Sequence, residues 1–78
     1  MNNKVEALKR DALIMANARR LIKLSARMLN GSLYSNIFGT GHGTGRQRAR
    51  ELGLDPDSNK TSYQAMCDYI NQDNNQLN

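Results

Sequence analysis

With 78 residues and a mass of 8.8 kDa, the chain has room for one domain, and a domain this small buries only roughly 60% of its unfolded surface. One Phe, three Tyr and no Trp exclude a large aromatic core, and a single cysteine, Cys67, excludes an internal disulfide. The formal charge of +4 is carried at one end: Lys4, Lys9, Arg10, Arg19, Arg20, Lys23 and Arg27 stand against Glu6 and Asp11 in residues 1–30, while the rest of the chain nets −1.

Residues 3–29 predict one long helix. Val5, Leu8, Ala12, Met15, Ile22, Ala26 and Leu29 recur at helical spacing, with Ala18 standing in where Arg19 breaks the pattern. Ile14, Leu21 and Met28 form a second stripe that widens the apolar face. Asn30-Gly31 is a stop signal. A short helix follows over residues 32–38, capped by Ser32 and ended by Gly39, with Leu33/Ile37 and Tyr34/Phe38 as side-chain pairs four residues apart.

Residues 39–45 hold four glycines in seven positions, a density that predicts a loop. Thr44 is the expected cap of a third helix over residues 46–52. Gly53 suits the left-handed position after it, with Leu54 folding back on Ala49. Residues 55–59 read as a turn. Thr61 or Ser62 then caps a fourth helix to about residue 72, with Tyr63, Met66, Cys67 and Ile70 on one face. The polar tail, residues 73–78, is expected to fray.

The fold class expected is therefore all-α: a small helical domain with one long N-terminal helix (residues 1–30), a short helix and Gly-rich connector (31–45), and a C-terminal helical pair (46–72) loosely like a helix-turn-helix. Ala49 and Gly53 have the small-residue spacing used where such helices cross, although residues 53–61 are long for the turn. No apolar run reaches the ~18 residues of a membrane span. A lone cysteine and a charge-interrupted N-terminal stretch suit a reducing cytoplasm.

The chemistry points to binding rather than catalysis. His42 is the only histidine and lies far from Cys67 in sequence, so neither a nucleophile–base set nor a metal-ligand cluster can be assembled. Asp55-x-Asp57-x-Asn59 opens like a calcium loop, but Lys60 and Met66 occupy the positions that require Gly and Glu. No cofactor or metal is expected.

A surplus of cations suggests a polyanionic or acidic partner. The leading expectation is a nucleic-acid-binding regulator or accessory protein, with DNA preferred over RNA, dimeric through the long helix. Arg19, Arg20, Lys23, Arg27, Arg46, Arg48 and Arg50 would contact phosphates, and Gln64 and Asn71 would supply base readout. The alternative is a protein-directed inhibitor or adaptor that occupies an acidic or nucleic-acid-binding surface, anchored by Leu33, Tyr34, Ile37 and Phe38. The composition resembles that of small proteins from phages and other mobile elements. A third expectation is a phosphate-bearing ligand held by Gly41, His42, Gly43, Thr44 and Gly45, where a Gly-rich turn opens onto a helix N-terminus. The same loop can equally serve as a hinge.

Overall fold

The computed structural model describes residues 3–76, with side chains described through residue 72. Four α-helices follow one another: α1 (Asn3–Leu21), α2 (Asn30–Phe38), α3 (His42–Glu51) and α4 (Tyr63–Gln76), with a 3₁₀ turn, Lys23–Arg27, between α1 and α2. The all-helical class expected from the sequence is what the structure shows, and no strand occurs among the described residues. None of the described helices is long and apolar enough to cross a membrane.

The first helix ends eight residues before the expected boundary. At Ile22 the backbone turns extended, with φ −109° and ψ 106°. The fully buried Ser25 then places its hydroxyl within reach of the carbonyls of Ala18 (3.0 Å) and Ile22 (2.6 Å). A serine hydroxyl competes with backbone amides for such acceptors. Arg19 folds over the break and donates from Nη1 to the Ser25 carbonyl. Polar contacts thus override an apolar period that would have carried the helix onward. Ile14, Leu21, Ile22 and Leu29, expected beneath the surface, are exposed instead.

The second helix starts two residues earlier than expected and without Ser32 as its cap. Its N-cap is Leu29, which offers no side-chain hydrogen bond. The loop after α3 caps it instead: the N–H of Asn30 donates to the Ser58 carbonyl (2.8 Å) and that of Gly31 to the Pro56 carbonyl (3.1 Å). These bonds satisfy amides that a helix start otherwise leaves unpaired. Gly39 closes α2 at φ +67°, the left-handed cap the sequence predicts.

Only three residues, Gly39, Thr40 and Gly41, separate α2 from α3. The expected loop through residue 45 is therefore corrected, since His42, Gly43, Thr44 and Gly45 are helical and Gly41 rather than Thr44 occupies the N-cap. The helix-weakening cost of glycine is about 1 kcal/mol. At Gly45 it is offset by packing, because an added Cβ would lie 2.6 Å from the Gly31 carbonyl oxygen and would also collide with Ser35.

The end of α3 behaves as expected. Gly53 takes φ +78°, its N–H reaches the Arg50 carbonyl (2.9 Å), and the N–H of Leu54 reaches the Ala49 carbonyl (2.9 Å). This is the paired closure of a Schellman motif. Asp55 orders the next turn by accepting the Asp57 N–H on Oδ1 (2.9 Å), and Ser62 caps α4 by accepting the Ala65 N–H (3.2 Å). Helix α4 runs through Gln76, past the expected end at residue 72. Of the tail expected to fray, residues 73–76 are helical, and Leu77 and Asn78 lie outside the described residues.

The core joins all four helices. Ala12 and Met15 of α1, Leu33 and Tyr34 of α2, Ala49 of α3, Leu52 and Leu54 of the connector, and Met66 and Ile70 of α4 form one buried cluster. Helix α1 lies against α4, and α2 against α3. On α4, Met66 and Ile70 are buried as expected, Cys67 is half-buried, and Tyr63 is exposed.

Candidate nucleic-acid interface

Helices α2 and α3 cross on small residues. Gly31 and Ser35 lie one turn apart on α2; Gly45 and Ala49 lie one turn apart on α3, and Gly45 and Ala49 are buried. A Cβ built on Gly31 would meet Arg46 Cγ at 2.9 Å, which shows how closely the backbones approach. The small-residue crossing expected of Ala49 and Gly53 is thus relocated to Gly45, which meets Gly31 and Ser35; Ala49 is buried in the core, and Gly53 lies against the ring of Tyr69 from α4.

With Gly45, Ala49 and Leu52 turned inward, the opposite side of α3 presents Gly43, Thr44, Gln47, Arg48 and Arg50 to solvent. At its start, the N–H groups of His42, Gly43 and Thr44 precede the first ladder bond, Gly45 N–H to the Gly41 carbonyl (2.9 Å). The N-cap glycine brings no side chain to cover them. Such an end carries a partial positive charge. Of the expected loop site, Gly41, His42, Gly43 and Thr44 are exposed there, but Gly45 is buried at the crossing and cannot meet a ligand.

The seven arginines and lysines assigned to phosphate contact divide into three groups. Arg19 is turned inward: Nε donates to Thr61 Oγ1 (3.0 Å), Nη2 to Asn30 Oδ1 (2.8 Å), and Nη1 to the Ser25 carbonyl. Burial lowers its pKa from the usual guanidinium value. Its three occupied edges pin α1 to α2 and to the loop before α4, which removes it from the surface set.

Two more are ion-paired at the surface. Arg46 forks onto Asp57, with Nη2 to Oδ2 at 3.0 Å, and Arg48 reaches Glu51 at 2.9 Å. The hydrogen bond and charge of Asp57 raise the Arg46 pKa, and Arg46 in turn holds the Asp57 carboxyl below its usual range. Glu51 likewise raises Arg48.

Arg20, Lys23, Arg27 and Arg50 form the third group, exposed and outside any ion pair among the described residues. Arg20 makes one long contact, to Asn17 Oδ1 at 3.4 Å. Between Asp11 and Glu51 the sequence holds no carboxylate at all, so Arg20, Lys23 and Arg27 have no acid in their own stretch, whereas Arg50 adjoins Glu51 and lies within the field of Asp57.

The remaining expected residues lie elsewhere. Gln64 and Asn71 are exposed on α4, not on α3, and Gln64 Nε2 donates to Asp68 Oδ1 at 3.0 Å. The expected protein-contact anchors are corrected. Leu33 and Tyr34 are 2% and 5% exposed, and half-buried Ile37 and Phe38 pack against the same core. Phe38 stacks on Tyr34 at 4.2 Å between ring centroids. An anchor must be free to enter a partner, and these are already occupied.

Gln47 escapes sequence reading because that reading puts the crossing helix pair one element too late. The spacing of Gly31 with Ser35 and of Gly45 with Ala49, taken together with Gly39 as a helix end, is the signal that locates it. No family model, curated protein or solved structure matches this chain.

Proposed function

We propose that the chain binds nucleic acid, duplex DNA in preference to RNA, through α3 and the unpaired cations of the α1–α2 junction. One observation carries the reading: a helix locked on small residues after a three-residue glycine turn leaves a polar side, with Gln47 and Arg50, exposed. A short glycine-containing turn between two crossing helices is the layout of helix-turn-helix proteins, whose second helix enters the major groove. In α3, Gln47 has the amide that pairs with an adenine edge, and Arg50 suits a phosphate. The open N-terminus of α3 adds amides that suit another phosphate. Arg20, Lys23 and Arg27 supply backbone contacts that fix position and carry no sequence information.

Titration of labelled duplex into the full chain tests this. Four cationic contacts, from Arg20, Lys23, Arg27 and Arg50, predict that affinity falls roughly a hundredfold between about 50 and 200 mM salt. Arg50→Gln weakens binding to every sequence alike, whereas Gln47→Ala weakens the preferred sequence most. Affinity that does not respond to salt ends the proposal.

A further inference from the structure

The break between α1 and α2 carries a second surface. Leu21 is 70% exposed, Ile22 50% and Leu24 86%, three large apolar side chains within four residues, with Leu29 exposed a few residues on. Single exposed leucines are ordinary, but a cluster of this kind marks an interaction site. The backbone beneath it is fixed. Ser25, directly after Leu24, is fully buried, and Arg19, itself bonded to Asn30, donates to its carbonyl. A side chain displayed from a rigid support loses little freedom when it binds.

Charge selects the occupant. Arg20, Lys23 and Arg27 alternate with the apolar side chains, none is in an ion pair among the described residues, and no acid occurs between Asp11 and Glu51. A second copy docking by two-fold symmetry would set this basic patch against its own copy, and like charges across an interface are repelled. An anionic bilayer is met by a continuous apolar helix face, whereas here the apolar side chains are confined to a helix break. We propose that Leu21, Ile22 and Leu24 dock an acidic amphipathic helix of another protein, its apolar side on the leucines and its carboxylates on Arg20, Lys23 and Arg27. This surface lies outside α3 but shares Arg20, Lys23 and Arg27 with the proposed nucleic-acid contact, so only its apolar residues, Leu21, Ile22 and Leu24, are its own.

The test uses the full chain and two short synthetic helices that share a leucine face, one flanked by Glu and one by Lys. Anisotropy should show the Glu helix binding at least about tenfold more tightly than the Lys helix. Leu24→Ser and Leu21→Ser/Leu24→Ser should each weaken it by about tenfold or more, the share expected of a central anchor. Both positions are solvent-exposed, so duplex binding and helix content should stay as in the parent. Equal binding of the two helices, or an unchanged affinity in Leu24→Ser, overturns the proposal. So does a dimer mass that Leu24→Ser reduces to monomer, or binding to anionic vesicles that Leu24→Ser abolishes while neither helix binds. Failure of the duplex titration with the Glu helix still bound would remove the nucleic-acid reading alone.

Discussion

Arg19 donates from Nη2 to Asn30 Oδ1 at 2.8 Å, and the same oxygen receives the Thr61 hydroxyl at 2.7 Å. The Asn30 amide nitrogen donates to the carbonyls of Asp55 (2.9 Å) and Lys60 (3.0 Å). Asn30 is 0% exposed, and its side chain makes all four of its bonds. The network ties the α1 break, the start of α2 and the loop before α4 into one joint. Asn30→Ala should cost about 3 kcal/mol, because it strands buried partners as well as losing bonds. Asn30→Asp should also destabilise, since a carboxylate cannot donate to the two carbonyls. Urea unfolding measures both. A loss no larger than that of the exposed Asn36→Ala would show the joint to be unimportant.

Gly43 and Gly45, neighbours on α3, should respond in opposite directions to the same substitution. At Gly43 an added Cβ meets nothing within 4 Å, so Gly43→Ala should raise stability by about 0.4–1 kcal/mol through the unfolded chain's lost freedom. At Gly45 the Cβ collides with Ser35 and with the Gly31 backbone, so Gly45→Ala should lower stability by about 1–3 kcal/mol. Adding Ser35→Ala should not restore the parent value, because the Gly31 carbonyl oxygen remains 2.6 Å away. Thermal unfolding of the three variants decides it; a rise in midpoint for Gly45→Ala would remove the close crossing.

These glycines show where sequence reading succeeds and where it stops. Gly39 and Gly53 announce their roles, because a left-handed residue at a helix end depends on local chemistry alone. Gly45 does not, since its need for a missing side chain is created by α2, a contact absent from any local window. The same holds at Ser25. Apolar spacing through residue 29 reads as a continued helix, whereas the buried Ser25 hydroxyl turns back to the carbonyls of Ala18 and Ile22, and Arg19, which donates to the Ser25 carbonyl, is itself held by Asn30 and Thr61 from outside the segment. Among the cations, composition reveals the surplus but not its division. Arg19 and Arg20 are adjacent in sequence, yet Arg19 is half-buried in hydrogen bonds to Ser25, Asn30 and Thr61 while Arg20 is exposed, a division set by which side of α1 faces the joint.

Gly53 is constrained twice over. Its φ of +78° disfavours any Cβ, and the space where that atom would go is filled by Tyr69, whose Cγ would lie 2.5 Å away. Gly53→Ala should therefore destabilise by about 2 kcal/mol, of which strain in the left-handed region accounts for about 1. Replacing Tyr69 with Ala in the same chain should recover only the share due to the ring, because the Tyr69 Cβ, 2.7 Å from the added atom, remains along with the backbone strain. If the double variant is no more stable than Gly53→Ala, the ring is not what fills that space.

Asp57 restrains a charge that would otherwise be available to a polyanion. Its carboxylate holds both Nη atoms of Arg46, a residue of α3, the helix through which binding is proposed. Asp57→Asn removes one negative charge and releases the guanidinium. Duplex affinity should rise several-fold, and the slope of log affinity against log salt should steepen by about 0.9, one additional phosphate contact. Arg46→Gln in the same background should reverse the gain. An affinity that falls in Asp57→Asn would place Arg46 in the fold rather than in the interface.

Tyr34 supplies the clearest pH dependence. Its hydroxyl donates to Asp11 Oδ2 at 3.1 Å, and burial, then the charge of Asp11, raises its pKa from 10.0 to about 12. In the folded chain the phenol therefore stays neutral over a range in which the unfolded chain ionises. The stability this contributes is complete below pH 10 and is lost as pH rises toward 12, since proton release then favours the unfolded state. The informative quantity is a difference between two chains, since every group they share then cancels. Tyr34→Phe should be less stable than the parent at neutral pH, having lost the bond to Asp11, and the gap should narrow as pH passes about 10. Urea midpoints for both proteins from about pH 8 to about pH 11.5 measure it. A gap that stays constant would mean that Tyr34 ionises as readily folded as unfolded, and that the Asp11 contact does not hold its proton.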